Sequence, residues 1–310
     1  MPMNKKNDSN QIFSRYETIV DDYPLFIKTC NAPLPRVARV NTIKTTLPRV
    51  ISIFSNLSIE ATQSEWNPLL FQMKNPSIGN TLPHFLGWIH GQEEVSNIPP
   101  IVLDPSPGDI VWDACSSPGS KTSQLASLMK DKGIIVANDS NLRRIPALRS
   151  NLERLGVTIA AVTHSDARHF SMKPFAFDHF DSALVDVPCS GEGTIRKNPA
   201  ALKNWSINQL LSLQKLQISI LKRAIETVKS GGTVVYSTCT FSPEENEAVL
   251  DEVLIDGKCS PVKFDSPLPS SPGITEWCGN SFDPRVKLAK RIWPHYSNTG
   301  GFFIAKLKVI

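Results

Sequence analysis

The sequence lacks the features that would indicate a membrane protein, a disulfide framework or a metal centre. It has no apolar run of about 18 residues, the length that suggests a membrane-spanning helix, and its N-terminus contains neither an apolar signal core nor a small-residue cleavage site. Its 6 cysteines form no CxxC pair and have no histidines at ligand spacing. We therefore expect a cytoplasmic protein with free thiols, no metal and no membrane contact.

Glycine-rich nucleotide motifs and a strong excess of one charge are also missing. Neither the dinucleotide fingerprint GxGxxG nor the phosphate loop GxxxxGK[ST] occurs, which argues against hydride transfer and triphosphate chemistry. A net charge of +4 permits a polyanionic partner without requiring one. With 41% hydrophobic and 20% charged residues, the chain of 310 residues has the composition of a globular protein that buries a core.

The pattern of apolar stretches changes near residue 100. Before this point, short stretches interrupted by prolines predict a small α+β unit, with a strand at 36–42 and a helix at 45–57. From about residue 108, strands, polar turns and helices alternate, which predicts a mostly parallel sheet covered by helices. The predicted strands are 109–115, 133–139, 158–166, 181–189, 232–239 and 302–309. The longest predicted helix is 208–232, with Ser206 as its N-cap and Gly231 and Gly232 at its end, and 257–284 is expected to be loop.

The segment DACSSPGSKT at 113–122 connects the first strand of this sheet to a helix. Backbone N–H groups at a helix N-terminus face a ligand, and this location suits a nucleotide-like cofactor. Asp139 ends the second strand, where a carboxylate accepts hydrogen bonds from both ribose hydroxyls, and Asp166 ends the third. This combination fits S-adenosylmethionine. The alternative is an ordinary strand-to-helix turn with a capping aspartate.

Cysteines end the next two predicted strands, Cys189 in DVPCSGEGT and Cys239 in STCTFSPEEN, so both thiols are expected at one sheet edge. A single cysteine there is more often a small buried residue than a nucleophile. Two thiols beside a methyl-donor loop favour covalent chemistry, and Pro243 indicates a helix that begins just after Cys239. A thiolate that attacks C6 of cytosine breaks the aromaticity of the ring and makes C5 nucleophilic. Asp186 is the candidate to support N3 of that ring.

Six motifs carry a resemblance to a known family. They are DACSSPGSKT, VANDSNLRR, HSDAR, DVPCSGEGTIRKNP, YSTCTFSPEENEAV and GGFFIAKL, in this order. With them the chain resembles the Sun/RsmB-type family of RNA cytosine-5 methyltransferases over roughly residues 36–308. The resemblance implies an α/β fold: a Rossmann-like, S-adenosylmethionine-dependent methyltransferase domain at 101–310, preceded by a small α+β, RRM-like RNA-binding domain at 1–100. Ser116 and Ser117 stand where relatives commonly have two alanines.

The resemblance also implies the roles of the site residues. Cys239 is then the nucleophile at C6, and Cys189 assists proton removal and product release. Asp186 and Lys121 lie beside both the methyl donor and the target base. The residues implied to bind the donor are Cys115, Ser116, Ser117, Pro118, Gly119, Ser120 and Lys121 for its methionine part, Asp139 for the ribose, Asp166 for the adenine, and Arg144 and Asp186.

Four basic residues are the candidates for contacts with RNA phosphates. They are Arg36 and Arg39 in the N-terminal unit, and Arg196 and Lys197 near the catalytic thiol. The alternative is that these charges are part of a solvated surface. A cytosine in a duplex has to be unstacked to reach the thiols, so we expect the target in a loop, at a junction or in a flipped-out position.

The sequence therefore predicts a monomeric, S-adenosylmethionine-dependent RNA cytosine-5 methyltransferase. The thiol and donor motifs resemble those of tRNA-acting members and RKNPAALKNWS resembles small-subunit rRNA enzymes, which slightly favours tRNA over rRNA as the substrate. One alternative is a catalytically idle RNA-binding assembly factor, which the loss of Cys239 or of the donor loop would favour. Another is an adenine N-methyltransferase, but DVPC stands where such an enzyme has an Asn/Asp-Pro-Pro-aromatic loop.

Overall fold

The computed structural model describes residues 11–74, 77–203 and 205–310, and it contains a small and a large β-sheet. The small sheet is antiparallel and has the strand order β2-β3-β1-β4. Its strands are β1 (Arg36–Val40), β2 (Ala61–Gln63), β3 (Leu70–Met73) and β4 (Ile89–Gly91). Among the described residues, no helix is long and apolar enough to cross a membrane.

The large sheet has the strand order β11-β14-β15-β9-β8-β5-β6-β7, and β10 pairs with β15. The five strands β9, β8, β5, β6 and β7 are parallel, whereas β15 is antiparallel to β9. The strands are β5 (Ile110–Asp113), β6 (Ile134–Asn138), β7 (Ala160–Thr163), β8 (Phe180–Asp186), β9 (Val228–Thr238), β10 (Cys259–Pro261), β11 (Ser271–Pro272), β14 (Lys290–Ile292) and β15 (Phe302–Val309). Two further strands, β12 (Glu276–Trp277) and β13 (Asn280–Ser281), form a separate hairpin. This is the predicted α/β fold with a central parallel sheet.

The helices connect and cover the strands, and their apolar faces supply much of the core. They are α1 (Tyr23–Cys30), α2 (Leu47–Asn56), α3 (Leu82–Phe85), α4 (Ile98–Leu103), α5 (Ser120–Leu128), α6 (Ile145–Leu155), α7 (Ile207–Thr227), α8 (Glu247–Leu254) and α9 (Pro294–Ser297). On the small sheet, α2 contributes Val50 and Phe54 to a cluster with Val40, Phe71 and Ile89. On the large sheet, the same burial of one helix face holds the parallel strands in place.

Three expectations about element boundaries are wrong. The helix predicted to reach Gly232 ends at Thr227, because Val228 already pairs with Phe180 in the ladder between β8 and β9. The start of this helix is as predicted: Ser206 is its N-cap and accepts a hydrogen bond from the Gln209 N–H at 3.2 Å. The segment 257–284 contains the short strands β10 to β13 in addition to loop.

The helix expected just after Cys239 begins only at Glu247. Side chains hold the intervening loop in a compact, non-helical form: Thr238 Oγ1 donates to Asn246 Oδ1 at 2.6 Å, and Asn246 Nδ2 donates to the Thr240 carbonyl at 3.1 Å. Local hydrogen bonds of this kind compete with the helical pattern and delay its start.

The described part of the first 30 residues packs against loops of the large sheet. Phe26 lies with its ring centroid 5.2 Å from that of Phe241 and 5.7 Å from that of Trp293, and Phe13 also contacts Phe241. The expected division at residue 100 stays a prediction. We propose that residues 11–30, although they precede this division, belong with the larger unit.

Candidate active site

Adjacent parallel strands bring the predicted site residues to one edge of the large sheet. The loops after β9, β8, β5 and β6 lie side by side, because these four strands are neighbours and parallel. Cys189 and Cys239 are both half-buried on two of these loops, and their Sγ atoms are 3.2 Å apart. The structure therefore joins into one site two thiols that are separated by 50 positions in the sequence.

The two cysteine loops are connected through their backbones. The Gly193 N–H donates to the Cys239 carbonyl at 2.9 Å, and the Gly301 N–H donates to the Gly193 carbonyl at 3.0 Å. A Cβ atom on Gly193 would lie 2.4 Å from the Gly301 carbonyl oxygen, which only a glycine avoids. The geometry around Cys239 thus depends on close backbone contacts among three segments.

A buried carboxylate, Glu192, also joins these loops. It accepts hydrogen bonds from four groups: the Tyr16 hydroxyl, Trp205 Nε1, Thr240 Oγ1 and the Phe241 N–H. Two of these donors directly follow Cys239 in the sequence, and Tyr16 comes from the N-terminal segment. Burial raises the pKa of Glu192, but its four donors stabilise a carboxylate. Glu192 therefore positions the segment that carries Cys239.

The hydrogen bond with Cys239, followed by burial, raises the pKa of the Cys189 thiol. Either sulfur can be the donor in this contact. The ammonium of Lys121 interacts with Cys239 electrostatically and supplies the positive charge that a reactive cysteine requires. Both thiols therefore lie within reach of one reacting group, and the separate roles of Cys239 and Cys189 stay predictions.

Lys121 and Asp186 form an ion pair beside the thiols. Lys121 Nζ lies 2.7 Å from Asp186 Oδ2, and the Ser237 hydroxyl donates to Asp186 Oδ1 at 2.7 Å. Burial lowers the pKa of Lys121, but the charge of Asp186 and its hydrogen bond outweigh burial and raise this pKa overall. Lys121 is therefore a cation, and Asp186 holds it beside the thiols.

The donor loop between β5 and α5 is held by Asp139, which directly follows β6. Asp139 Oδ2 accepts from the Ser117 N–H at 3.2 Å and lies 3.3 Å from Arg144 Nη1. Arg144 also donates to the Ser117 carbonyl. Gly119 has a φ of 102°, which places it in the left-handed region directly before α5 begins. Asp139 and Arg144, which were both predicted to bind the methyl donor, therefore contact the loop at 113–122.

The remaining residues of the loop are held from several sides. The Ser116 hydroxyl donates to the Asn138 carbonyl at 2.9 Å, Asn151 Nδ2 donates to the Pro118 carbonyl at 2.9 Å, and the Ser120 hydroxyl lies 2.8 Å from His90 Nε2. Cys115 is half-buried, and burial raises the pKa of its thiol, so it is not a thiolate. The loop is therefore a fixed cradle rather than an open turn.

Two buried polar atoms on this cradle fit a bound methyl donor. Asp113 Oδ1 and Ser117 Oγ have no hydrogen-bond partner among the described residues. Asp113 Oδ2 accepts from Thr122 Oγ1 at 2.7 Å, and burial raises the pKa of Asp113 to about 7. Buried polar atoms are normally paired, so these two suit a ligand that supplies the missing partners.

Asp166 lies farther out than its neighbours on this edge. Its side chain is 39% exposed, and its carboxylate pairs with the Arg168 guanidinium, with 2.6 Å between Oδ2 and Nη2. The hydrogen bonds from Arg168 lower the pKa of Asp166. Its expected contact with the adenine stays a prediction.

Burial corrects the expectation that Arg39 and Arg196 contact RNA phosphates. Arg39 is 3% exposed and donates to Gln92 Oε1 and Ser123 Oγ. Arg196 is 8% exposed and donates to the carbonyls of residues 32, 33 and 299. A guanidinium group that is removed from water needs protein acceptors for its N–H groups, and both residues have them. Arg36 and Lys197 are exposed and stay candidates.

Sequence reasoning missed the residues that position the thiols. Glu192 belongs to the quoted motif DVPCSGEGT, so the motif offered a signal for it, whereas nothing in the sequence pairs it with Tyr16. Glu93 was also missed. Its Oε1 accepts from the Gly300 N–H at 2.7 Å, and the double glycine of GGFFIAKL was the signal for that close contact.

A family model described as 16S rRNA methyltransferase RsmB/F matches residues 100–308. Among curated proteins, the tRNA (cytosine(49)-C(5))-methyltransferase of Pyrococcus abyssi is 36% identical over 308 residues, which cover 98% of this chain and 97% of that protein. The ribosomal RNA small subunit methyltransferase F of Shewanella woodyi is 35% identical over 294 residues, which cover 92% of this chain and 59% of that protein. The chain thus spans about three fifths of the length of this second relative.

Solved structures show a similar architecture. A methyltransferase homolog protein from Pyrococcus horikoshii is 31% identical and has a TM-score of 0.85, with 100% of both chains covered. NSun6 from Pyrococcus horikoshii with SFG has a TM-score of 0.81 at 21% identity and covers 99% of this chain and 98% of its own. The second likeness concerns the fold alone.

Proposed function

The chain belongs to the 16S rRNA methyltransferase RsmB/F family, and we propose that it methylates C5 of a cytosine in RNA through a covalent bond to Cys239. The observation that carries this proposal is the pair of thiols at the ends of β8 and β9, with 3.2 Å between their Sγ atoms. The ion pair of Lys121 with Asp186 lies beside them. A single buried cysteine would serve packing, but two facing thiols beside a fixed cofactor cradle serve chemistry.

In the proposed reaction, the thiolate of Cys239 adds to C6 of the cytosine and forms a sulfur–carbon bond, which moves electron density to C5. Asp186 would hold the N3 edge of the ring by passing to N3 the proton that Cys239 gives up, and it takes this proton back when the ring is restored. Lys121 holds Asp186. When bound, S-adenosylmethionine supplies the methyl group that C5 takes up. The C5 proton then passes to solvent water with the assistance of Cys189. The electron pair of the C5–H bond expels the Cys239 sulfur from C6, and the aromatic ring is restored.

The donor would be held by the cradle at residues 115–121 and by the carboxylates around it. We assign the methionine part to Cys115 through Lys121, the ribose to Asp139, with Arg144 and Asp186 also in contact. Asp166 would lie at the adenine edge. The unpaired Asp113 Oδ1 and Ser117 Oγ support a ligand in this place.

The RNA would enter past Arg36 and Lys197, which are exposed. Arg196 supports this assignment indirectly, because it connects the two segments that carry them: its Nη2 donates to the Pro33 carbonyl at 2.7 Å and its Nε to the Ala32 carbonyl at 3.1 Å. The buried arginine thus holds two exposed cations on one rim, where they would contact phosphates.

We favour tRNA as the substrate, because the curated tRNA methyltransferase of Pyrococcus abyssi matches this chain over 97% of its own length. The small-subunit rRNA enzymes are the second candidate, supported by 35% identity over 294 residues.

The test is to incubate the protein with S-adenosylmethionine and with separate unmodified tRNA and small-subunit rRNA fragments, and to analyse nucleosides by mass spectrometry. New 5-methylcytidine in the tRNA supports the favoured substrate, and in the rRNA the second candidate. If the donor binds but neither RNA gains 5-methylcytidine, the proposal is overturned in favour of an idle RNA-binding protein.

A further inference from the structure

Two stretches around the small sheet contain positive charge and no acidic residue, and the segment between them contains Glu60 and Glu65. Residues 23–59 include no Asp or Glu, and residues 66–92 include none either. The exposed Lys and Arg residues of the two stretches are Lys28, Arg36, Lys44, Arg49 and Lys74, whereas Arg39 is buried. A surface built from these segments complements a polyanion.

An aromatic side chain stands out on this basic surface. Phe85, at the end of α3, is 76% exposed, and Leu82 at the start of the same helix is 49% exposed. Large apolar side chains that are exposed together indicate a contact site, and a phenylalanine ring offers a face for stacking.

Other rings and cations surround α3. The His84 and His90 rings are stacked, with centroids 6.5 Å apart and an interplanar angle of 15°. The Arg49 guanidinium lies 4.3 Å from the centroid of the Trp88 ring. The Lys44 side chain lies beside Gly87, the residue that precedes Trp88. Arg49 and Lys44 are both exposed. Aromatic faces that alternate with cations are typical of surfaces that bind unpaired nucleotides.

This region is fixed relative to the donor loop. His90 Nε2 lies 2.8 Å from the hydroxyl of Ser120, the first residue of α5, and Arg154 bridges the His84 carbonyl and His90 Nδ1. Burial, together with the charges of Arg39, Arg154, His84 and Lys197, lowers the pKa of His90 to about 3. His90 is therefore a neutral hydrogen-bonding link, and the positive charge around it comes from the other groups.

We propose that α3 and the turn that follows it form a second RNA contact, in which Phe85 stacks on an unpaired base outside the target site and Arg49 and Lys44 neutralise neighbouring phosphates. This inference rests on the proposed function, because it assigns a further part of the same RNA substrate. The charge of the surface favours RNA over an apolar protein partner.

The first test compares Phe85→Ala with Phe85→Tyr and with Ile255→Ala, which removes a side chain that is 74% exposed elsewhere. Affinity for a fluorescent, unmodified tRNA transcript is measured by anisotropy without a methyl donor. Phe85→Ala should raise Kd about 5- to 100-fold, since stacking of one base has this effect, whereas the two other variants should bind like the wild type. The rate of methylation at saturating RNA should not change.

The second test uses Arg49→Gln and Lys44→Gln in the same assay at several salt concentrations. Each loss of a phosphate contact should reduce the slope of log K against log salt by about one. Unchanged slopes, or a Phe85→Ala Kd equal to that of Ile255→Ala, would overturn the second contact.

These outcomes are independent of the proposed reaction. If the wild type forms 5-methylcytidine but Phe85→Ala binds RNA normally, the contact is wrong and the reaction stands. If Phe85→Ala weakens RNA binding but the wild type produces no 5-methylcytidine, the contact stands and the reaction is wrong.

Discussion

The candidate site has two halves: a donor half around the loop at 113–122 and a thiol half around Cys189 and Cys239. Each half contains a buried carboxyl group, but the two groups differ in how many hydrogen bonds they accept. In the donor half, Asp113 accepts one hydrogen bond, from Thr122, and its Oδ1 has no partner among the described residues. In the thiol half, Glu192 accepts from four groups, which include Tyr16 and the Phe241 N–H. Burial raises the pKa of both carboxyl groups.

This difference matches what each half has to do. A site for a dissociable ligand keeps polar atoms available, because the ligand supplies their partners when it binds. A site for covalent attack needs its nucleophile held in one geometry before the substrate arrives. Glu192, which accepts hydrogen bonds from four groups, holds the segment that carries Cys239. The donor half should therefore respond to substitution mainly in affinity, and the thiol half mainly in chemistry.

The largest effect expected is the loss of methylation in Cys239→Ser, because a serine hydroxyl is not ionised where a thiolate is needed. Nucleoside mass spectrometry should detect no 5-methylcytidine, while calorimetry shows unchanged binding of the donor. Cys278→Ser is the matched control, since Cys278 is an exposed thiol, and it should keep full activity. Formation of 5-methylcytidine by Cys239→Ser would contradict the role of Cys239 as nucleophile and the expected difference between the two halves.

Cys189→Ala should stop the reaction at a later point. Without the second thiol, proton removal and release slow down, so a covalent complex of protein and RNA accumulates through Cys239. A denaturing gel should show a shifted protein band that needs both RNA and donor. The double variant with Cys239→Ser should show no such band, and an absent shift in Cys189→Ala alone would contradict the assigned roles.

Asp139→Ala should act on the donor half alone. It removes the acceptor for the Ser117 N–H and the proposed ribose contact, which should weaken donor binding by roughly 1 to 3 kcal/mol, or about 5- to 150-fold in Kd. Calorimetry measures this directly. Asp131→Ala, which loses hydrogen bonds to Thr158 elsewhere, is the control and should bind the donor normally. Equal affinities in the two variants would refute the placement of the donor.

The last effect concerns stability and pH. Burial raises the pKa of Asp113 to about 7, so the folded protein retains a proton that the unfolded chain releases above about pH 4. The contribution of this group is complete below pH 4 and is lost as pH rises through 7. Between these values the free energy of unfolding should fall as pH rises.

Asp113→Asn removes this titration, so urea denaturation between pH 4.5 and 7.5 should show a shallower decline of the unfolding free energy than in the wild type. The buried Glu245, whose pKa burial also raises to about 7, remains and contributes to the residual slope. An identical pH dependence in both proteins would show that Asp113 is ionised in the folded state.

Local patterns predicted most of the sheet. The strands β5, β6 and β7 lie within their predicted ranges, and Ser206 caps the helix that it was expected to cap. The ends of elements were harder, because they depend on pairing partners: Val228 extends β9 toward Phe180, and the loop after Cys239 stays non-helical because Asn246 holds it.

What the sequence by itself determined is the order of strands and helices, the donor loop and the presence of two thiols at strand ends, since these follow from periodicity and from short motifs. Only the tertiary structure decided that the thiols lie 3.2 Å apart, that Tyr16 and Glu192 pair, and that Arg39 and Arg196 are buried while Arg36 and Lys197 are exposed. The physical reason is that a charged or polar side chain is used according to the acceptors, donors and water around it. Those neighbours come from distant segments, and folding alone brings them together.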